Sequence, residues 1–181
     1  MRLFTAVLPP PPVLDEIEDL VAPLRRDQSV RWSPREMWHV TCAFYGEAGP
    51  DVLPVLTAHL ARAAERSPVG ALRLVNATEF NGRALALEVG GDTEGLSELA
   101  RLCTGAGREA GLRMEHRRFR PHLTVARTPR PRDLSSHVTA LIGARTLDWR
   151  PSALLLLHSQ RGASARYDEI ASWPLPEPDR G

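Results

Sequence analysis

An α+β fold of two related lobes is predicted by three features of the 181-residue sequence. Short apolar runs of strand character alternate with stretches of helical spacing. The same order of elements recurs in the two halves at an offset of about 83 residues. One pattern, His-x-Thr, holds the same place in each recurrence, at His39–Thr41 and at His122–Thr124.

Leu3–Leu8 reads as a buried strand, ended by Pro9–Pro12, which lack the N–H groups that a sheet ladder needs. From Val13 to Arg26 apolar residues fall at 13, 14, 17, 20, 21 and 24. That is one helical stripe, with acids early and Arg25–Arg26 late, as the helix dipole favours. Trp38–Tyr45 is a strand closed by Gly46, Val52–Arg66 returns to helical spacing, and Ala71–Val75 is a strand. Asn81–Gly82, a dipeptide typical of hairpin turns, leads into a strand at Ala84–Val89. Leu96–Glu109 reads as a helix, although Gly105 and Gly107 weaken it. A strand at Arg120–Arg127, a helix at Leu134–Ile142 and strands at Ala153–His158 and Arg166–Ala171 complete the order. Pro174–Pro178 reads as an exposed tail.

In the repeat, Leu3–Leu8 falls on Ala86–Gly91 and the helix at 13–26 on the one at 96–109. His39-Val40-Thr41 falls on His122-Leu123-Thr124, the helix from 51 on that from 134, and Ala71–Leu72 on Ala153–Leu154. So long a period does not fit a solenoid. Residues 1–181 are therefore expected to form one bilobal domain, its lobes facing each other across a cleft.

Composition narrows the chemistry. Hydrophobic residues at 43% and charged residues at 25% describe a chain that folds. With 23 basic and 22 acidic residues, a polybasic nucleic-acid coat is excluded, though a local cationic site is not. All 23 basic residues are arginine. Mechanisms that require lysine therefore drop out: the P-loop lysine, Schiff-base and pyridoxal-phosphate chemistry, and lysine-adenylate ligation. Cys42 and Cys103, the only cysteines, build neither a disulfide framework nor a CxxC motif. No apolar run approaches the roughly 20 residues that span a bilayer, and the N-terminal apolar stretch is too short for a signal peptide. A cytoplasmic protein without a membrane partner is expected.

In a strand, alternate residues share a face. His39 and Thr41 thus point one way and Val40 and Cys42 the other; His122 and Thr124 stand apart from Leu123 and Val125 in the same manner. Each strand offers an imidazole and a hydroxyl to one side and apolar groups to the core. Two such strands facing one cleft suit a phosphodiester. One imidazole takes a proton from the nucleophile, the other gives one to the leaving oxygen, and the hydroxyls hold the non-bridging oxygens. Histidine, with an unperturbed pKa of about 6.5, lets one ring be neutral and its twin cationic near neutrality. This chemistry calls for no metal and no cofactor.

These residues resemble the 2H phosphoesterase superfamily, and within it the bacterial RNA 2′,3′-cyclic phosphodiesterases, historically called 2′-5′ RNA ligases. Arg2-Leu-Phe-Thr-Ala-Val is similar to the family's opening strand, and Val30-Arg-Trp-Ser-Pro introduces His39-Val-Thr-Cys-Ala-Phe-Tyr-Gly as the family's first motif is introduced. Phe119-Arg-Pro-His-Leu-Thr-Val-Ala-Arg127 is similar to the second motif, and Ala165-Arg-Tyr to the stretch before the last strand. The resemblance implies antiparallel sheets with outer helices about a central cleft. It also implies opening of an RNA 2′,3′-cyclic phosphate to a 2′-phosphomonoester, and RNA ends or related nucleotides as partners; with no obligate protein partner evident, a monomer is expected. By the same resemblance His39 is the proton donor to the departing 3′ oxygen, and His122 the base that activates water. Thr41 and Thr124 are the phosphate-holding hydroxyls, and Arg127 a guanidinium on the phosphate. Two departures stand out. Cys42 replaces an aliphatic residue, and strict alternation puts Arg127 on the face opposite His122, so the strand must end or bulge before it.

Any ligation by a chain without lysine must be the hydrolysis reversed, with a ribose hydroxyl replacing water and no ATP. The alternatives are a module that binds a nucleotide or RNA terminus without turnover, or a phosphodiesterase acting on 2′-5′ oligoadenylate or small cyclic nucleotides. His59 and His137 read as surface or boundary residues of helices, and Met114–Arg120 as a basic loop able to steer RNA. Trp32, Trp38, Phe44, Tyr45 and Tyr167 lie near the motifs, most of them as core residues.

Overall fold

The computed structural model describes residues 1–160 and 166–179. The strand β1 (Arg2–Val7) stops at the prolines, and Pro11 and Pro12 instead open α1 (Pro11–Val21), whose first turn has no use for their missing N–H groups. A two-residue strand, β2 (Arg31–Trp32), precedes β3 (Val40–Glu47) and α2 (Leu53–Glu65). Then come the hairpin β4 (Leu72–Phe80) and β5 (Ala84–Gly91), the helix α3 (Thr93–Glu109) and β6 (His122–Arg127). The short helix α4 (Ser135–Ala140) and the strands β7 (Ala153–Gln160) and β8 (Arg166–Pro174) follow. Elements fall near where hydrophobic spacing put them, although β4 runs on to Phe80 where the strand was read to Val75, and three further differences stand out. The helix read over 13–26 tightens to a 3₁₀ segment, Ala22–Arg26, where Pro23 intervenes. β2 was too short to leave a pattern. Leu175, in the supposed tail, is buried, and its N–H bonds to the carbonyl of Ser152.

The strands join in the order β4-β5-β6-β3-β1-β7-β8, with β2 beside β6, and their pairings are antiparallel. Two strand sets result, β8-β7-β1-β3 and β4-β5-β6-β2, and a single residue pair, Val40 with Leu123, fuses them into one sheet. The lobes do not coincide with the halves of the sequence. β4 belongs to the first half but pairs with β5, because the Asn81–Gly82 turn (Gly82 at φ +63°) makes that hairpin local and cheap to close. β7, its counterpart, lies beside β1. The orders β7-β1-β3 and β4-β5-β6 then match strand for strand. Pairing also refines the offset. Thr5 faces Ala43 where Leu85 faces Ala126, so β1 corresponds to β5 at 80 residues while the histidine strands stay 83 apart.

One face of the sheet meets the helices: α3 packs on β3 and α2, and α4 on β4. Leu3, Val40, Leu72, Leu85, Leu123, Leu154 and Leu156 have no accessible surface there. The Tyr45 hydroxyl donates to the Cys103 carbonyl at 3.0 Å and lies 3.4 Å from the Thr5 hydroxyl, so the ring is pinned at its far end. This explains Gly107: a Cβ there would stand 3.0 Å from the Tyr45 ring and 2.5 Å from the Met114 sulfur. Gly105 looks onto open space.

The two glycines should respond oppositely to alanine. Gly105→Ala gains helix propensity and is expected to stabilise by about 0.5–1 kcal/mol. Gly107→Ala pushes on a ring that cannot move and should cost about 1–3 kcal/mol. Urea midpoints at unchanged slope read both; equal signs would contradict the packing.

Candidate active site

The site grows from the one pair that joins β3 to β6. Val40 and Leu123 face each other with their side chains fully buried. A local twofold through that pair relates His39 to His122 and Thr41 to Thr124, one residue to either side. These four residues are half-buried on the opposite face, as alternation requires. The sequence-predicted quartet thus lies on one face of the sheet, where the two strand sets meet.

Both rings are oriented by the chain that leads into them. His39 Nδ1 lies 2.7 Å from the Met37 carbonyl, and His122 Nδ1 lies 2.7 Å from the Arg120 carbonyl. A carbonyl only accepts, so each Nδ1 carries the hydrogen and each Nε2 is left for chemistry. His39 Nε2 stands 3.1 Å from the Thr41 hydroxyl. Aromatic rings fix the planes. His39 packs against Phe4 at 5.0 Å and edge-on against Tyr167 at 5.1 Å, while His122 packs against Phe80 at 4.5 Å. The Arg120 guanidinium lies 4.9 Å from the centre of the Phe80 ring.

Both histidines are held below their ordinary pKa. For His39 burial is the main cause, followed by the opposing pull of the Met37 carbonyl, then by the charges of Arg127 and His122. For His122 burial again leads, the Arg120 carbonyl opposes it, and Arg127, Arg120 and Arg117 lower it further. Burial lowers the value because it penalises the charged ring more than the neutral one.

Arg127 reaches the site through the bulge that alternation demanded. Ala86 pairs with Thr124 and Leu85 with Ala126, so Val125 is the extra residue and Arg127 returns to the histidine face. In β3 the extra residue at the related place is Cys42, between the Ala6–Thr41 and Thr5–Ala43 pairs. Its thiol is buried and pushed well above its ordinary pKa, the character of a packing residue.

Sequence reasoning missed Phe4, Phe80 and the part played by Tyr167. Their contacts depend on which residues of neighbouring strands come opposite, and a single sequence does not show that. Ala165 lies outside the described residues. His137, read as a surface or boundary residue, is buried, with Nε2 3.1 Å from the Asp27 carboxylate. Its helix turns that face into the core behind Trp32. Trp38 and Tyr45 are core residues, whereas Phe44 is exposed beneath the Arg2 guanidinium, 4.7 Å from the ring centre. His116 lies against Arg108, and among the described residues no three His, Cys, Asp or Glu side chains gather as metal ligands would.

Comparison with known proteins bears on the family and the fold. The family model for the 2′-5′ RNA ligase superfamily matches residues 9–163. A search of curated proteins finds no match. Among solved structures, TT0787 of Thermus thermophilus superposes with a TM-score of 0.80 at 23% identity, covering 98% of this chain and 99% of that one. E. coli LigT in apo form gives 0.81 at 23% identity, covering 97% of this chain and 98% of that one. The MHV ns2 PDE domain gives 0.54 at 16% identity, over 94% of this chain and 99% of that one. These structural likenesses speak for the fold. The family match covers most of the chain, both histidine motifs included, and the protein therefore belongs to the 2′-5′ RNA ligase superfamily, the 2H phosphoesterases.

Proposed function

We propose that the protein hydrolyses RNA 2′,3′-cyclic phosphate ends to 2′-phosphomonoesters by two-histidine acid–base catalysis. The observation that carries this reading is the matched pair of imidazoles. Each is tied at Nδ1 to a carbonyl two residues upstream, so each turns its Nε2 to the site, that of His39 within 3.1 Å of the Thr41 hydroxyl. A module that only bound a nucleotide would have no use for two proton-transfer groups.

His122 Nε2 takes a proton from water, and the water oxygen attacks phosphorus. The bond from phosphorus to the 3′ oxygen breaks, and His39 Nε2–H protonates that oxygen, leaving phosphate on the 2′ oxygen. Thr41, Thr124 and Arg127 hold the non-bridging oxygens as negative charge builds on them, a fixed set of donors that need not reorganise. A phosphate oxygen on Thr41 falls within reach of His39, given the 3.1 Å spacing of hydroxyl and ring. With a ribose 5′-hydroxyl in place of water the same forward steps join RNA ends through a 2′-5′ linkage without ATP. The P–O3′ bond breaks as the P–O5′ bond forms, so ligation is the hydrolysis with another nucleophile and not its reverse. LigT has been crystallised with 3′-AMP and with phosphate, ligands of the chemistry invoked here.

The direct test is incubation with an oligonucleotide 2′,3′-cyclic phosphate in EDTA, followed by digestion with a phosphatase specific for 3′-phosphate. Full turnover and a resistant product are expected. Loss of activity restored by one divalent metal would replace this mechanism with a metal-dependent one, and a sensitive product would exchange the roles of the histidines.

His39→Ala and His122→Ala should each lower kcat by ~10²–10⁴-fold with the fold retained by circular dichroism. The double variant should be scarcely worse than the poorer single one, because the two groups serve one transition state. Near-normal turnover in either single variant contradicts the mechanism.

The pH dependence follows from the shifted rings. The base works above its pKa and the acid below its own, so kcat/KM is bell-shaped with apparent values belonging to the pair. Both rings are pulled down, so the optimum falls on the acid side of ~6.5, the free imidazole value. Bound phosphate favours the imidazolium, which moves the kcat bell to higher pH. Arg127→Gln removes a cation that disfavours protonation of both rings, and its kcat/KM optimum should also move up. An optimum moving down would place Arg127 elsewhere.

A further inference from the structure

Arg31 is not used by this mechanism, yet its position is tightly fixed. β2 pairs with the same edge of β6 that meets β3, and Arg31 comes directly opposite Arg127. Directly opposed residues of an antiparallel pair project to the same face. Arg127 lies on the histidine face of the sheet, close enough for its charge to act on both histidines and on Tyr167. Arg31 therefore stands on that face too, exposed, one strand further along the rim.

The segment is pinned on both sides. Trp32 donates its indole N–H to the Asp27 carbonyl at 3.0 Å, and the Ser33 N–H bonds to the Val125 carbonyl at 2.8 Å, continuing the ladder beside the bulge. Like charges set opposite each other in a sheet destabilise it. Among the described residues neither Arg31 nor Arg127 has a carboxylate within ion-pair distance. By contrast, Arg25, Arg35, Arg73, Arg101 and Arg150 are paired. Two arginines without a carboxylate partner, set opposite each other in register on the histidine face, suit a ligand with more than one phosphate.

We propose that Arg31 binds the phosphodiester adjoining the reacting one, so that the preferred substrate is an RNA chain rather than a mononucleotide. The inference rests on the phosphodiesterase reading for the identity of the ligand. Arg127 takes the reacting phosphate and Arg31 the next group along the backbone. The guanidinium contacts phosphate and not base, so the gain is independent of sequence.

Binding of product-type ligands tests this without requiring turnover. The probes are a trinucleotide ending in a 2′-phosphate and the corresponding nucleoside 2′-monophosphate, with Kd read by calorimetry over a salt series. The protein should bind the trinucleotide more tightly, and Arg31→Gln should reduce that preference by about tenfold. It should also lower the salt slope for the trinucleotide by about 0.7, the value for one single-strand phosphate contact. Arg127→Gln should weaken both ligands alike and preserve the preference. Equal weakening of both ligands by Arg31→Gln would put Arg31 on the reacting phosphate and overturn the proposal. So would an unchanged preference, or a preference lost in Arg118→Gln and kept in Arg31→Gln, which would send the chain over the basic loop. If cyclic phosphates are not turned over while the Arg31-dependent preference stands, the proposed reaction fails and this binding site does not.

Discussion

A single antiparallel contact, Val40 with Leu123, sets the geometry on which the site depends. Among the described residues it is the only place where the two strand sets touch edge to edge in the sheet. Because the side chains of that pair point into the core, their neighbours on each strand must point out of it. The core that stabilises the protein therefore also fixes the spacing of the imidazoles and hydroxyls. Loss of packing at either residue would disturb all four of those side chains together, and both residues are completely enclosed.

Orientation and proton affinity come from the surroundings of each ring. A backbone carbonyl cannot change its protonation state, so it serves as a permanent tautomer lock on each Nδ1. Phe4, Tyr167 and Phe80 remove water from the ring faces, and that burial favours the neutral imidazole. Carbonyl and burial pull in opposite directions, and burial wins at both positions. Arg127, brought round by the Val125 bulge, adds to the same side of the balance and supplies a cation for the substrate.

Much of this was legible in the sequence, and the reasons are particular. His39 and His122 were readable because their patterns recur at a fixed offset and strand periodicity assigns a face to each member. The need for a bulge before Arg127 followed from the same periodicity. The exchange of β4 and β7 between lobes was not readable, because hydrophobic alternation says which face a strand buries and not which neighbour it takes. β2 carries two residues and no periodicity at all. Arg31 looked like any surface arginine until pairing set it against Arg127. His137 misled because six residues of helix give too little pattern to tell an inward from an outward face.

The exchange of strands bears on how the molecule comes into being. The lobe holding His122 takes its strands β4, β5 and β6 from the continuous stretch 72–127, and the first two close through a two-residue turn. Apart from the pairing of β2 with β6, its strand contacts are nearer in sequence than those of the other set and lose less chain entropy in forming. The lobe holding His39 is different: β1, the first strand, waits for β7, whose partner residues for Leu3 to Ala6 are His158 to Leu155. During synthesis the second lobe can assemble while the first still lacks two of its four strands. The His39 set of strands is completed last, when β7 joins β1 and β8 joins β7. A ribosome-bound chain therefore carries both histidines and the strands that pair them before β7 emerges to flank β1 and β8 to set Tyr167 against His39.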